Sequence, residues 1–133
     1  MIRQTLKYLL DTHTLLWTLD APEKLSRPAS EIVREKSFRL CISIATPWEL
    51  AIKANHRSSD FMELLKNFES TILSAGYELL ETKISHAVRA GLLPRHHRDP
   101  FDRLLIAQSL ELGMPIVSRD EVFDLYGVNR IWQ

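Results

Sequence analysis

The sequence predicts an α/β fold in which a central parallel sheet of about five short strands is covered by helices on both faces. Three observations carry this. Short apolar runs alternate with amphipathic helical stretches along the chain. Hairpin signals such as Asn-Gly and Asp-Gly are absent, so successive strands are expected to be joined by helical crossovers. A length of 133 residues suffices for one domain with a real core and is too short to divide sensibly in two.

The elements follow in order. Tyr8-Leu9-Leu10 is a short buried strand ending at Asp11. Thr12 to Leu19 reads as a helix with Leu15, Leu16 and Leu19 on one face, broken by Ala21-Pro22. Ser26 caps a helix that carries Ile32 and Val33 and runs to about Lys36. Arg39 to Ile44 is the second strand, with β-branched Ile42 and Ile44. In Thr46-Pro47-Trp48-Glu49, Thr46 is expected to cap, Pro47 to fill the first helical position, and Glu49 to sit where a capping-box acid belongs. That helix runs to about Asn55, and His56-Arg57-Ser58-Ser59 is a polar connection. Asp60 is expected to cap one longer helix bearing Phe61, Leu64, Leu65, Phe68 and Ile72, which Gly76 ends. Tyr77 to Leu80 is the third strand, and Ser85 to Gly91 a brief helix. Asp99 then caps a nearly all-apolar helix closed by Gly113. Pro115-Ile116-Val117 is the fourth strand. Asp120 starts a short helix to about Leu125, and Val128 to Trp132 is the last strand.

Composition excludes more than it selects. With 17 basic and 17 acidic residues the net charge is zero, so a nucleic-acid partner would need a local basic patch. The single cysteine, Cys41, lies in an apolar run and reads as a core thiol. No apolar run nears the ~20 residues of a membrane span, and the first residues lack a signal-peptide core, so a cytoplasmic protein is expected.

The chemistry lies in the placement of acids. In parallel sheets the functional crevice forms at the carboxyl ends of the strands. Asp11 ends the first strand, Glu49 opens the helix after the second, Asp102 opens the helix before the fourth, and Asp120 lies just past the fourth. Three of these reach one edge by short connections. Asp102 depends on a long loop from Leu92 to Arg98. Taken singly, Glu49 and Asp102 read as capping-box acids, and Asp99 and Asp120 as caps. Asp11 gains nothing from packing. Clustered carboxylates at ~4 Å cost on the order of 4 kcal/mol per pair at an effective dielectric of ~20. Helix N-termini offset only ~0.3–1 kcal/mol each. Either some acids stay protonated or a cation is held, and oxygen donors select Mg²⁺ or Mn²⁺.

Four pieces together resemble the PIN-domain family, most closely its VapC-type toxin ribonucleases. They are Leu9-Leu10-Asp11-Thr12-His13, Trp48-Glu49-Leu50-Ala51-Ile52-Lys53, His97-Arg98-Asp99-Pro100-Phe101-Asp102-Arg103 with Leu104 to Gln108, and Val117-Ser118-Arg119-Asp120. The resemblance runs from about Lys7 to the C-terminus, which makes residues 1–133 a single domain with 1–6 as an N-terminal extension. It implies a three-layer α/β/α fold and endonucleolytic hydrolysis of RNA, with Mg²⁺ or Mn²⁺ held by Asp11, Glu49, Asp102 and Asp120. Asp99 becomes an auxiliary ligand of the Asp-Pro-Phe-Asp-Arg subgroup. It also implies a homodimer and a cognate antitoxin that covers the acidic groove. The sequence departs from the subgroup at Ala54 to Ser59, where relatives carry a Gly-Lys-Leu-like segment.

Around the acids, Arg98, Arg103 and Lys53 are candidate phosphate contacts, with Arg95, His96 and His97 in the same basic cluster. The plainer readings pair Arg103 with Asp99 and Lys53 with Glu49. His96-His97 lacks the further ligands of a zinc site. His13 and Ser118 abut two of the acids as candidate orienting groups. Trp17, Trp48 and Trp132 read as core or interface residues rather than base-stacking platforms. The rival functions are a phosphatase with an aspartyl nucleophile, a receiver-like phosphoacceptor, and a non-catalytic PIN-like nucleic-acid-binding or regulatory module. The first wants an Asp where His13 stands. The second wants a Lys where Ser118-Arg119-Asp120 stands. Intact acids argue against the third.

Overall fold

A computed structural model describes residues 6–56 and 61–133. Five strands, β1 (Lys7–Leu10), β2 (Arg39–Ser43), β3 (Glu78–Leu80), β4 (Ile116–Val117) and β5 (Arg130–Ile131), form one parallel sheet in the order β3-β2-β1-β4-β5. The helices are α1 (Thr12–Asp20), α2 (Arg27–Arg34), α3 (Ala45–His56), α4 (Phe61–Lys66), α5 (Phe68–Ser74), α6 (Ile84–Leu92) and α7 (Pro100–Leu112). Two 3₁₀ turns, Pro22–Lys24 and Glu121–Tyr126, complete the order. The expected sheet is present, and the terminal helix is a 3₁₀ turn. No helix among the described residues is long and apolar enough to cross a membrane.

The pleat divides the core into two layers. Leu9, Cys41 and Ile116 point to one face, where they meet Ala90 of α6 and Leu104, Leu105 and Ala107 of α7. Leu10, Leu40, Ile42 and Val117 point to the other, against Leu15, Ala29, Leu50, Phe68 and Ile72. Burial on both faces explains why the strands read as unbroken apolar runs.

Two local expectations change. Helix α3 begins at Ala45, not after Thr46, because the Ser43 hydroxyl accepts from the Ala45 amide at 3.1 Å. Thr46 is thus inside the helix, its buried hydroxyl 3.3 Å from that of Thr12. The single long helix expected from Phe61 is interrupted at Asn67, whose backbone (φ −130°, ψ 33°) leaves the helical region. The break keeps Phe68 and Ile72 in the same apolar layer as Leu64 and Leu65. The cap expected at Asp60 and most of the polar connection before it lie outside the described residues.

The topology fixes where a crevice opens. The chain moves outward from β1 through β2 to β3, then returns to place β4 on the other side of β1. The gap past the carboxyl ends of β1 and β4 is therefore the switch point of the sheet. Leu10, fully buried and last in β1, packs the floor beneath it. Leu10→Ala is expected to cost ~2–5 kcal/mol. Urea titration should show this as a lower midpoint with an unchanged slope.

A candidate metal centre at the carboxyl edge of the sheet

Asp11 leaves β1 and turns directly into α1. Its Oδ1 caps that helix by accepting from the Thr14 amide at 2.9 Å. Its Oδ2 accepts from the hydroxyl of Ser118, the residue after β4. The same hydroxyl accepts from the Asp120 amide at 3.0 Å, so one serine couples two of the acids. Asp120 itself caps the following 3₁₀ turn through the Val122 amide at 3.0 Å. Asp11 and Asp120 line a cleft of about 460 Å³ with His13, Trp17, Arg119 and Glu121.

Glu49 projects from α3 toward the same edge. Its Oε1 accepts from the buried Thr12 hydroxyl at 2.6 Å, and its Oε2 meets Lys53 Nζ at 3.1 Å. Its partners are thus those two side chains rather than its own helix N-terminus, so the capping-box expectation does not describe it. Asp102 Oδ2 lies 2.8 Å from His97 Nε2. Asp99 is the cap of α7, with Oδ1 accepting from Phe101 N at 2.9 Å and, more weakly, Asp102 N at 3.4 Å. Hydrogen bonds through Ser118 and Thr12 link Asp120 to Asp11 and the segment after β1 to Glu49. Asp102 lies close enough to Glu49 to feel its charge.

The four main acids do not form one compact donor set. Among the described residues, the only group of three metal-binding side chains with donor atoms mutually within 4.8 Å is His97, Asp99 and Asp102. Burial still disfavours the charged form of two of the acids. Burial pushes the Asp11 carboxyl above its ordinary range, against hydrogen bonds from Ser118 and Thr14. Burial, with the charges of Asp99 and Glu49 behind it, pushes Asp102 up to about 6, against His97. Carboxylate oxygens held away from water in this way fit a hard divalent cation.

The basic residues divide. Arg103 neither pairs with Asp99 nor stands free for phosphate. Its two terminal nitrogens donate to the carbonyls of Leu93 (2.8 Å), Pro94 (3.0 Å) and His97 (3.0 Å) and contact the Tyr126 hydroxyl (3.4 Å). It thereby ties down the loop that carries Asp102 to the edge. Lys53 is engaged with Glu49. Arg98 and Arg119 are exposed and make no ion pair among the described residues. Trp132 is buried, Trp17 packs against it, and Trp48 is 57% exposed with its ring edge-on to Phe101 at 4.9 Å.

Sequence reasoning passed over Thr12 and Arg119. The signal for both is adjacency, since each abuts one of the acids.

Asp102 yields a test of these electrostatics. Its folded-state value near 6 is raised above the ordinary 3.8. Its stabilising contribution is therefore complete below pH ~3.8 and lost as pH rises through ~6. Above pH ~7 and without metal, Asp102→Asn is expected to gain about 1–3 kcal/mol over the parent. Thermal melts across pH should show this advantage vanishing in acid. Added Mn²⁺ should raise the parent's melting temperature more than the variant's.

Comparison with known proteins agrees with this architecture. The family model described as "PIN domain" matches residues 8–129. No curated protein matches the chain significantly. Among solved structures, the chain is similar to one in the DNA-bound VapBC of Salmonella typhimurium, at 21% identity and TM-score 0.71, covering 96% of this chain and 98% of that one. A chain of VapBC2 from Rickettsia felis, bound to a promoter DNA fragment, gives 14% identity and TM-score 0.70 over 96% and 100%. One of VapBC-5 from Mycobacterium tuberculosis gives 15% and 0.57 over 94% and 95%. At these identities the likeness is one of fold.

Proposed function

Since the chain belongs to the PIN-domain family, we propose that it is a metal-dependent endoribonuclease, the toxin of a toxin–antitoxin pair. The observation that supports this best is the run of acids along the carboxyl edge, held by Ser118 and Thr12, with burial raising Asp11 and Asp102. Asp11, Glu49, Asp102 and Asp120 would hold one or two Mg²⁺ or Mn²⁺ ions, directly or through water, with Asp99 auxiliary. A bound ion supplies the positive charge and the Lewis acidity that phosphodiester hydrolysis needs.

The chain's own residues do the rest. Ser118 and Thr14 fix the Asp11 carboxylate, and Thr12 with Lys53 fixes that of Glu49. Arg98, next to Asp99, and Arg119, in the cleft with Asp11 and Asp120, would take RNA phosphates. No side chain is placed as a covalent nucleophile in this reading. Water is the attacking group, and the products carry a 5′-phosphate and a 3′-hydroxyl.

The similar structures bear on the partner. VapBC-5 is a member of the VapBC family of toxin-antitoxin systems, and the other two structures contain DNA, in one case a promoter fragment. For this chain we propose a cognate antitoxin that covers the acidic groove, and a homodimer.

The direct test is RNA cleavage by the purified protein with Mg²⁺, Mn²⁺ or EDTA. The parent should cut only with metal, and Asp102→Asn and Asp120→Asn should each lose roughly 10²-fold or more in rate. A folded Asp102→Asn that cuts at the parent rate would sink the assignment. RNA binding without cleavage under any metal would favour the binding module.

The division of the arginines predicts a second pattern. Arg98→Ala and Arg119→Ala should each weaken RNA binding and flatten its dependence on log salt by ~0.7 per lost contact. Arg103→Ala should leave that slope unchanged and lower stability by about 1–3 kcal/mol, through the carbonyls it abandons. Filter binding at several salt concentrations and thermal melts separate the two.

A further inference from the structure

We propose that His97 is itself a metal ligand, joined with Asp99 and Asp102 in a mixed nitrogen–oxygen site that favours Mn²⁺, Co²⁺ or Zn²⁺ over Mg²⁺. The inference rests on the reading of the acids as a metal centre, but not on RNA being the substrate.

The geometry carries it. One ring nitrogen of His97 and one carboxylate oxygen each from Asp99 and Asp102 lie mutually within 4.8 Å, and His97 Nε2 is the nitrogen that faces Asp102. With bonds of ~2.0–2.2 Å, donors on opposite sides of one ion stand up to ~4.4 Å apart, so the group is near the size that one ion spans. Each member is mounted firmly. Asp99 spends Oδ1 on the Phe101 and Asp102 amides, which leaves Oδ2 for an ion. Asp102 sits in the first turn of α7. His97 is not on a free loop, because Arg103 holds its carbonyl at 3.0 Å. Its ring is partly buried and already aimed at Asp102, at 2.8 Å.

The alternatives for the same ring are weaker. As a phosphate contact His97 would have to turn away from Asp102, whereas an ion would replace the Nε2–Oδ2 hydrogen bond with both groups near their present places. The neighbouring His96 differs: it is exposed, and its ring lies against Tyr126 at a centroid distance of 5.2 Å. An imidazole donor shifts a carboxylate site toward the later first-row metals, and three protein ligands leave positions open for water or substrate.

The test uses the full chain, stripped of metal and loaded with Mn²⁺ or Co²⁺. Pulsed EPR of the Mn²⁺ form should show nitrogen coupling, and the Co²⁺ form should show a visible absorption band. His97→Gln should lose the nitrogen coupling and bind Mn²⁺ ~10–100-fold more weakly, with Mg²⁺ affinity changed far less. His96→Gln should keep the coupling. Absence of nitrogen coupling in the loaded parent, or its survival in His97→Gln, overturns the inference; the parent measurement stands even if the variant fails to fold. A parent that shows metal-dependent RNA cleavage but no nitrogen coupling loses this inference and keeps the nuclease reading. A parent with nitrogen coupling and no RNA cleavage does the reverse. A parent that binds no divalent ion loses both.

Discussion

The hydrogen bond from Ser118 to Asp11 is the contact on which the rest of the centre turns. It exists because β1 and β4 are neighbours in parallel register, so the residues just beyond them meet. The same hydroxyl then receives the Asp120 amide, and Thr14 Oγ1 donates to the Val117 carbonyl at 2.9 Å. From behind, Arg130 donates to the Ser118 carbonyl at 3.2 Å while pairing with Asp124. A serine whose own accessibility is zero thus fixes two acids and the joint between β1, α1 and β4.

That arrangement works against stability in the absence of a cation. Asp11 and Glu49 are buried, and Asp102 is largely so. The hydroxyls on Asp11 and Glu49 are neutral and satisfy oxygens without cancelling charge; Glu49 also has Lys53 and Asp102 has His97, while among the described residues Asp11 has no cationic side chain bonded to it. Helix N-termini contribute only ~0.3–1 kcal/mol apiece against the cost of burying the carboxylates. The two core layers supply the difference. The carboxylates of the proposed centre are thereby also a burden on folding.

Most of the architecture was legible in the sequence, for a physical reason. Strands buried on both faces produce short continuous apolar runs, and Leu9-Leu10, Leu40 to Ile42 and Ile116-Val117 are such runs. The capping residues Ser26, Asp99 and Gly113 act as their positions suggest. Less legible were features set by tertiary contacts. Nothing local in the Phe61 to Ile72 pattern announces the break at Asn67. Thr46 looked like a cap because it precedes Pro47, yet the backbone turns helical one residue sooner. In the candidate site, the order of elements shows which acids reach one edge. It does not show which neighbours hold them. Arg103 illustrates this: a basic residue beside acids suggests a charge partner, while its real partners are carbonyls nine, ten and six residues back.

The pairing of β1 with β4 joins opposite ends of the chain, and Ser118 stands 107 positions from Asp11. Contacts so distant along a polypeptide form only after a large loop closes. During synthesis the N-terminal segment emerges first and begins to collapse while the C-terminal strands are still unmade. In that interval Asp11 has no donor on Oδ2, and Arg119, Asp120 and Glu121 are absent from the cleft. A nascent chain therefore carries an unfinished cleft until the residues just past β4 have emerged and folded back against β1.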